Sequence, residues 1–214
     1  MKKLAIATLC LGMFTATSAS AFTIKMVADN DYAIFSGTSS SINSILYQNN
    51  VVWNDQISAI STQSFSLANG DDTFYVLGMG GGGQENISGL VNGVNMTDPS
   101  VSVSMSSNIN SFLTGYNATA VTNGTYNVSL ADVQTALANL TWGSPTVATN
   151  ETVINASGFG SGFRFEDQQA HLFRFNAASV NVPTTPVSEP ATFAIFGLAL
   201  AGLGFRARQK AKKS

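Results

Sequence analysis

The chain has 214 residues, a formal net charge of −2 at neutral pH, one cysteine and one histidine. Its charges are unevenly placed: between residues 22 and 186 stand eleven acidic side chains and three basic ones, Lys25, Arg164 and Arg174, which leaves that stretch near −8. So acidic a surface cannot assemble the patch that neutralises phosphates, which excludes nucleic acid as a partner, and with the lone Cys10 inside the first 21 residues the remainder has no disulfide, thiol nucleophile or thiolate metal ligand.

In chain order, residues 1–21 read as a secretory signal peptide. Lys2 and Lys3 open it, Leu4 to Ala16 are apolar apart from small or hydroxyl residues, and Ala19-Ser20-Ala21 supplies a small-x-small cleavage pattern. Signal peptidase is expected to cut between Ala21 and Phe22. Residues 22–182 are expected to form one extracytoplasmic domain, long enough to bury a core without disulfides. Short runs rich in Val, Ile, Thr, Phe and Tyr, separated by Gly, Asn, Asp and Ser clusters, predict a mostly β fold, an antiparallel β-sandwich. Strands are expected at 23–27, 32–35, 61–67, 73–79, 101–105, 125–130, 162–165 and 171–175. Asn69-Gly70-Asp71-Asp72 is expected to join two of them as a tight hairpin.

One segment has a different period. Ser129 can cap a helix, Asp132 favours its first turn, and Leu130, Val133, Leu137 and Leu140 fall on one face, so the spacing predicts a helix over 131–140. Residues 183–190 are a Pro-stiffened linker. Residues 191–205 carry no charge and are rich in Leu, Ala, Gly and Phe; they predict a membrane helix of roughly 22 Å. Arg206, Arg208, Lys210, Lys212 and Lys213 follow, and the positive-inside rule places residues 206–214 in the cytoplasm and the domain outside.

Val187-Ser188-Glu189-Pro190, the apolar run and the basic tail together resemble the PEP-CTERM sorting signal. That resemblance implies processing by an exosortase, a membrane-embedded cysteine protease-transpeptidase, in a Gram-negative bacterium that makes exopolysaccharide. It implies an inner-membrane intermediate and then the cell surface or extracellular matrix. Glu189 and Pro190 match the core of the motif, and Ser188 stands where the first proline is commonest.

A second likeness lies in the domain. Ala28-Asp29-Asn30-Asp31-Tyr32, then Trp53, then Asn69-Gly70-Asp71-Asp72 before the apolar run 73–77, and the Gly80–Gly83 run are similar in order to the galactose-binding-like jelly roll. This implies a jelly-roll-like sandwich, and some members of that fold bind sugars and many carry a structural calcium.

Individual residues suggest limited chemistry. His171 is the one histidine a Ser-His-Asp triad could use, yet no Gly-x-Ser-x-Gly elbow is present and it sits in an alternating run, as a strand residue would. Among the carboxylates Asp29, Asp31, Asp71, Asp72, Glu85, Glu166 and Asp167, no spacing selects a catalytic pair. Asp29, Asp31, Asp71 and Asp72 could offer oxygens to Ca²⁺; turn chemistry is the preferred explanation of them. Gly80–Gly83 lacks the Lys-Ser/Thr of a phosphate loop and reads as a flexible turn. Trp53, Trp142, Tyr47 and Tyr116 could stack on sugar rings. Trp53 with Asn54 and Asp55 is the first choice as a ligand site, with core packing as the plainer reading.

The expectation is a non-enzymatic surface or matrix protein, sorted by exosortase and associated with exopolysaccharide. Two other readings remain: a polysaccharide-acting hydrolase built on carboxylates, and a purely structural, self-associating matrix protein.

Overall fold

A computed structural model describes residues 20–68 and 70–180, and in it the apolar runs form two antiparallel sheets. The first runs in the order β10 (Thr146–Ala148), β11 (Gly162–Arg164), β6 (Asn86–Val91), β1 (Ser20–Ala28), β4 (Thr62–Leu67), with β7 (Val94–Asn95) also paired to β6. The second runs β3 (Ser41–Asn49), β2 (Asp31–Thr38), β5 (Thr73–Met79), β12 (Ala170–Asn176), β8 (Val103–Ser106), β9 (Trp142–Gly143). The mostly β sandwich expected from the sequence is the fold observed.

Side-chain alternation explains how the sheets meet. Phe22, Ile24 and Met26 of β1 face Tyr32 and Ile34 of β2, Phe74 and Val76 of β5, and Phe173 and Phe175 of β12. Phe74 is stacked between Phe22, 4.9 Å away, and Phe175, 4.7 Å away. Burying each such ring is worth roughly 1.5–3 kcal/mol. The other face of the second sheet is covered as well. There Ala33, Phe35, Tyr75, Leu77 and Leu172 pack under Ile109, Leu113, Val121, Tyr126 and Val133. Two covered faces are why β5 is a continuous apolar run buried along its whole length.

The covering layer holds α2 (Ala118–Thr122) and α3 (Leu130–Leu137). The helix expected at 131–140 therefore exists but stops earlier, where the Asn139 amide turns back to the Ala136 carbonyl and its side chain donates to Thr135. Residues 125–130 are not the expected strand. Their backbone is paired by one side chain instead: Gln48 of β3 donates to the Tyr126 carbonyl and accepts from the Val128 amide. The tight hairpin expected at 69–72 is also corrected. Its flanking strands lie in different sheets, β4 paired to β1 and β5 to β2 and β12, so the segment is a crossover.

Two short helices, α1 (Trp53–Ser58) and α4 (Thr152–Ser157), pack on β1 and β6 of the first sheet. Phe22, the expected first residue after signal cleavage, is 2% exposed and pairs with Phe65. Among the described residues no helix is long and apolar enough to cross a membrane. The expected span 191–205, the motif at Val187–Pro190, the basic tail and the leader up to residue 19 lie outside the described residues.

Candidate functional site

At one end of the sandwich the chain passes from the first sheet to the second through two residues, Asp29 and Asn30. The Asp29 amide donates to the Asn86 carbonyl of β6, and the Asn30 amide to the Met79 carbonyl of β5. Asp29 and Asn30 thus bridge the tips of both sheets, and Asp31 opens β2. Buried Gln56 of α1 fastens this crossing: its Oε1 accepts from the Ala28 amide, and its Nε2 donates to the Asn30 and Val51 carbonyls. That anchoring places Trp53, at the start of α1, beside the crossing.

The Gly80–Gly83 loop closes the same end, and it is fixed on every side, unlike the flexible turn expected. The Gly80 amide donates to the Gln169 carbonyl, the Tyr116 hydroxyl to the Gly80 carbonyl at 2.9 Å, and the Thr122 hydroxyl to the Gly81 carbonyl at 3.1 Å. The Gly82 amide donates to Glu85 Oε1 at 2.6 Å and the Gly83 amide to Asp167 at 2.9 Å. A side chain at the start of the run would displace its neighbours: a Cβ on Gly80 would stand 2.7 Å from Glu85 Cδ, and one on Gly81 would press on the Thr122 and Asn30 side chains. With the Asn30 amide oriented to suit its neighbours, its oxygen accepts from the Gly81 amide at 3.0 Å and its nitrogen donates to Asp29.

Between crossing and loop lies a cavity of about 390 Å³ lined by Asp29, Asn30, Trp53, Gly82, Gly83, Gln84, Thr122 and Thr152. Trp53 and Asp29 are half-buried there. Asn54 and Asp55, expected to accompany Trp53, are exposed and outside the lining. The other aromatic candidates are engaged elsewhere. Arg174 stands 4.3 Å over the Trp142 ring, Tyr47 packs between Tyr32 and Phe65, and Tyr116 meets Tyr126 edge-on.

The acidic residues divide by position. Asp29, Asp31 and Glu85 gather at the cavity end, and burial pushes their carboxyls up to about 6, 7 and 7. For Glu85 the neighbouring charges of Asp29 and Asp167 add to burial, while the Gly82 amide works against them. Asp71 and Asp72 stand at the far end of β5. There Asp71 accepts from the Asn43 side chain at 2.6 Å and Asp72 from the Thr73 hydroxyl at 2.7 Å. The four aspartates grouped as candidate calcium ligands are therefore not one site. Glu85 belongs with Asp29 and Asp31, and in sequence nothing marked it beyond its place after a glycine run.

His171 is buried in β12, with Nδ1 2.8 Å from the Ser106 carbonyl and Nε2 2.8 Å from Glu166. Both ring nitrogens face oxygens other than a serine hydroxyl, so the geometry holds no Ser-His pair. Among the described residues no three His, Cys, Asp or Glu side chains are placed to hold a metal ion together unaided.

Comparison with characterised proteins returned no match, and neither did comparison with solved structures. One family description does match: residues 186–209 fit the PEP-CTERM protein-sorting motif. The match takes in Val187 to Pro190, the apolar segment and the first basic residues, Arg206 and Arg208. The chain thus carries, after its β-sandwich, the PEP-CTERM sorting motif that marks a protein for export and exosortase processing.

Proposed function

We propose that the protein is a non-enzymatic component of the cell surface or extracellular matrix, and that the Trp53 cleft binds a sugar unit of exopolysaccharide. The sorting motif supports delivery to that setting. The observation that carries the binding reading is the cleft's make-up. An indole face offers apolar contact to sugar C–H groups, and the carboxylate and amides of Asp29, Asn30 and Gln84 can hydrogen-bond hydroxyls at its edge. Five segments separated in sequence converge to build it.

Trp53→Ala is expected to lower retention on immobilised exopolysaccharide from the producing bacterium by about tenfold or more, with the β circular-dichroism signal kept. Unchanged retention would remove the sugar site from this cleft. One feature favours a polysaccharide hydrolase as a second reading: Asp29 lines the cleft with its carboxyl raised towards neutrality, as a general acid requires. Release of reducing ends from the same polysaccharide, abolished by Asp29→Asn, would establish it.

A further inference from the structure

The end of the second sheet remote from the Trp53 cleft has an excess of donors. There β12 lies between β5 and β8, and the register sets Arg174 beside Ser104 and Tyr75, and Asn176 beside Thr73. Residues two apart on a strand share a face, so Arg174 and Asn176 stand on one side of the sheet with Ser104 and Thr73. Ser102, just before β8, joins the same row as Asn176, whose amide donates to its carbonyl at 3.4 Å. Ser39, Thr73, Ser102, Ser104, Arg174 and Asn176 line a cavity of about 210 Å³, and all six are polar.

Arg174 is fixed in this cavity without being neutralised. Its guanidinium lies 4.3 Å over the Trp142 ring, its Nε donates to Ser104 Oγ at 3.3 Å, and its Nη1 donates to the Ser39 carbonyl at 3.3 Å. A guanidinium carries five N–H donors, and the other three have no acceptor among the described residues. Arg164 is paired with Glu151, whereas no carboxylate among the described residues stands within ion-pairing distance of Arg174. Asp72, next to Thr73, accepts from the Thr73 hydroxyl instead. The neighbours add donors. Asn176 Oδ1 accepts from the Ala178 amide at 2.9 Å, which leaves its amide nitrogen unused, and the Ser104 hydroxyl keeps its own proton to give. A fixed cation ringed by unused donors calls for an acceptor, and one guanidinium matches a monoanion with two oxygens, a carboxylate.

We infer that this cavity binds the carboxylate of an acidic sugar unit, a hexuronate, with Arg174 as its charge partner and Asn176 and Ser104 as further donors. The wholly polar lining suits a carboxylate set among hydroxyls; the methylenes of an acidic peptide side chain would find no apolar wall there. The cavity lies about 20 Å along β5 from the Trp53 cleft and stands independently of what that cleft binds.

The test titrates the full chain in detergent with sodium glucuronate by calorimetry. One site per chain is expected. The methyl ester of glucuronic acid, the same ring without the charge, should bind at least about tenfold more weakly, and so should acetate, the charge without the ring. Arg174→Gln is expected to lower the affinity for glucuronate about tenfold or more. Because that change also uncovers Trp142, Asn176→Asp is the second variant. It keeps the oxygen that accepts from Ala178, exchanges the unused donor for a second oxygen, and should abolish binding without lowering Tm, since the new carboxylate can pair with Arg174. Lys25→Gln, on the other sheet, should bind glucuronate as the wild type does. Absence of binding heat with glucuronate would overturn the inference, as would equal binding of the methyl ester or undiminished binding by Asn176→Asp. Acetate or a blocked glutamate binding as tightly as glucuronate would overturn it too, since the sugar ring would then contribute nothing.

Discussion

The Tm of the domain is expected to fall by roughly 10 °C between pH 5 and pH 8, the reverse of a protein held by exposed salt bridges. Asp31 and Glu85 have ordinary values of 3.8 and 4.5, and in the fold both rise to about 7. The folded state therefore binds protons more tightly than the unfolded chain. Stability from this source is complete below about pH 4 and is lost as pH climbs through about 7, where two buried carboxyls ionise, Asp31 with no hydrogen-bond partner and Glu85 with the Gly82 amide on one oxygen. After discounting for relaxation and water entry, the pair contributes on the order of 2–4 kcal/mol. Asp29, raised to about 6, acts in the same direction from its half-buried position. Asp31→Asn should flatten much of the slope. A Tm that holds steady or rises over this range would show that the corner is not an unrelieved acidic cluster.

Replacing Glu189 or Pro190 by Ala is expected to leave nearly all of the protein unprocessed and held in the inner membrane. The effect is close to all-or-none because it acts on recognition by a protease and not on folding; neither residue belongs to the β-sandwich described above. Fractionation followed by immunoblotting reads it directly. Ser188→Pro, which restores the commonest residue of the motif, should process at least as fast as the wild type. Normal release of the Glu189 and Pro190 variants would detach delivery from the motif.

Much of the sandwich was legible because alternation and continuity are physical signatures. The run from Thr73 to Met79 announced a central strand through unbroken apolar character, and β12 did so through Phe173 and Phe175 on one face. Strands β3 and β6 were hidden. Their sequences, Ser41 to Asn49 and Asn86 to Val91, mix Ser, Asn and Gly into the apolar positions, and pairing with neighbours overrides weak propensity. Residues 125–130 misled in the opposite sense, since a single amide, Gln48, satisfies a backbone that reads as a strand.

The site was half visible. Trp53, Asp29 and Asp31 drew notice as residue types, but their grouping depends on which strand end each occupies. Asp71-Asp72 resembles Asp29-Asn30-Asp31 in composition, yet the length of β5 sets the two about 20 Å apart. Glu85 could be assigned only when the Gly80 corner folded it back under the crossing, and Gln56 only when α1 brought its amide to Ala28 and Asn30.

Delivery underlies the whole account, and intact-mass spectrometry of protein recovered from the cell surface or medium tests it most directly. The expected species begins at Phe22 and has lost the residues that follow the Val187–Pro190 motif. Recovery of surface protein whose mass still includes the apolar run and the tail to Ser214 would contradict exosortase sorting.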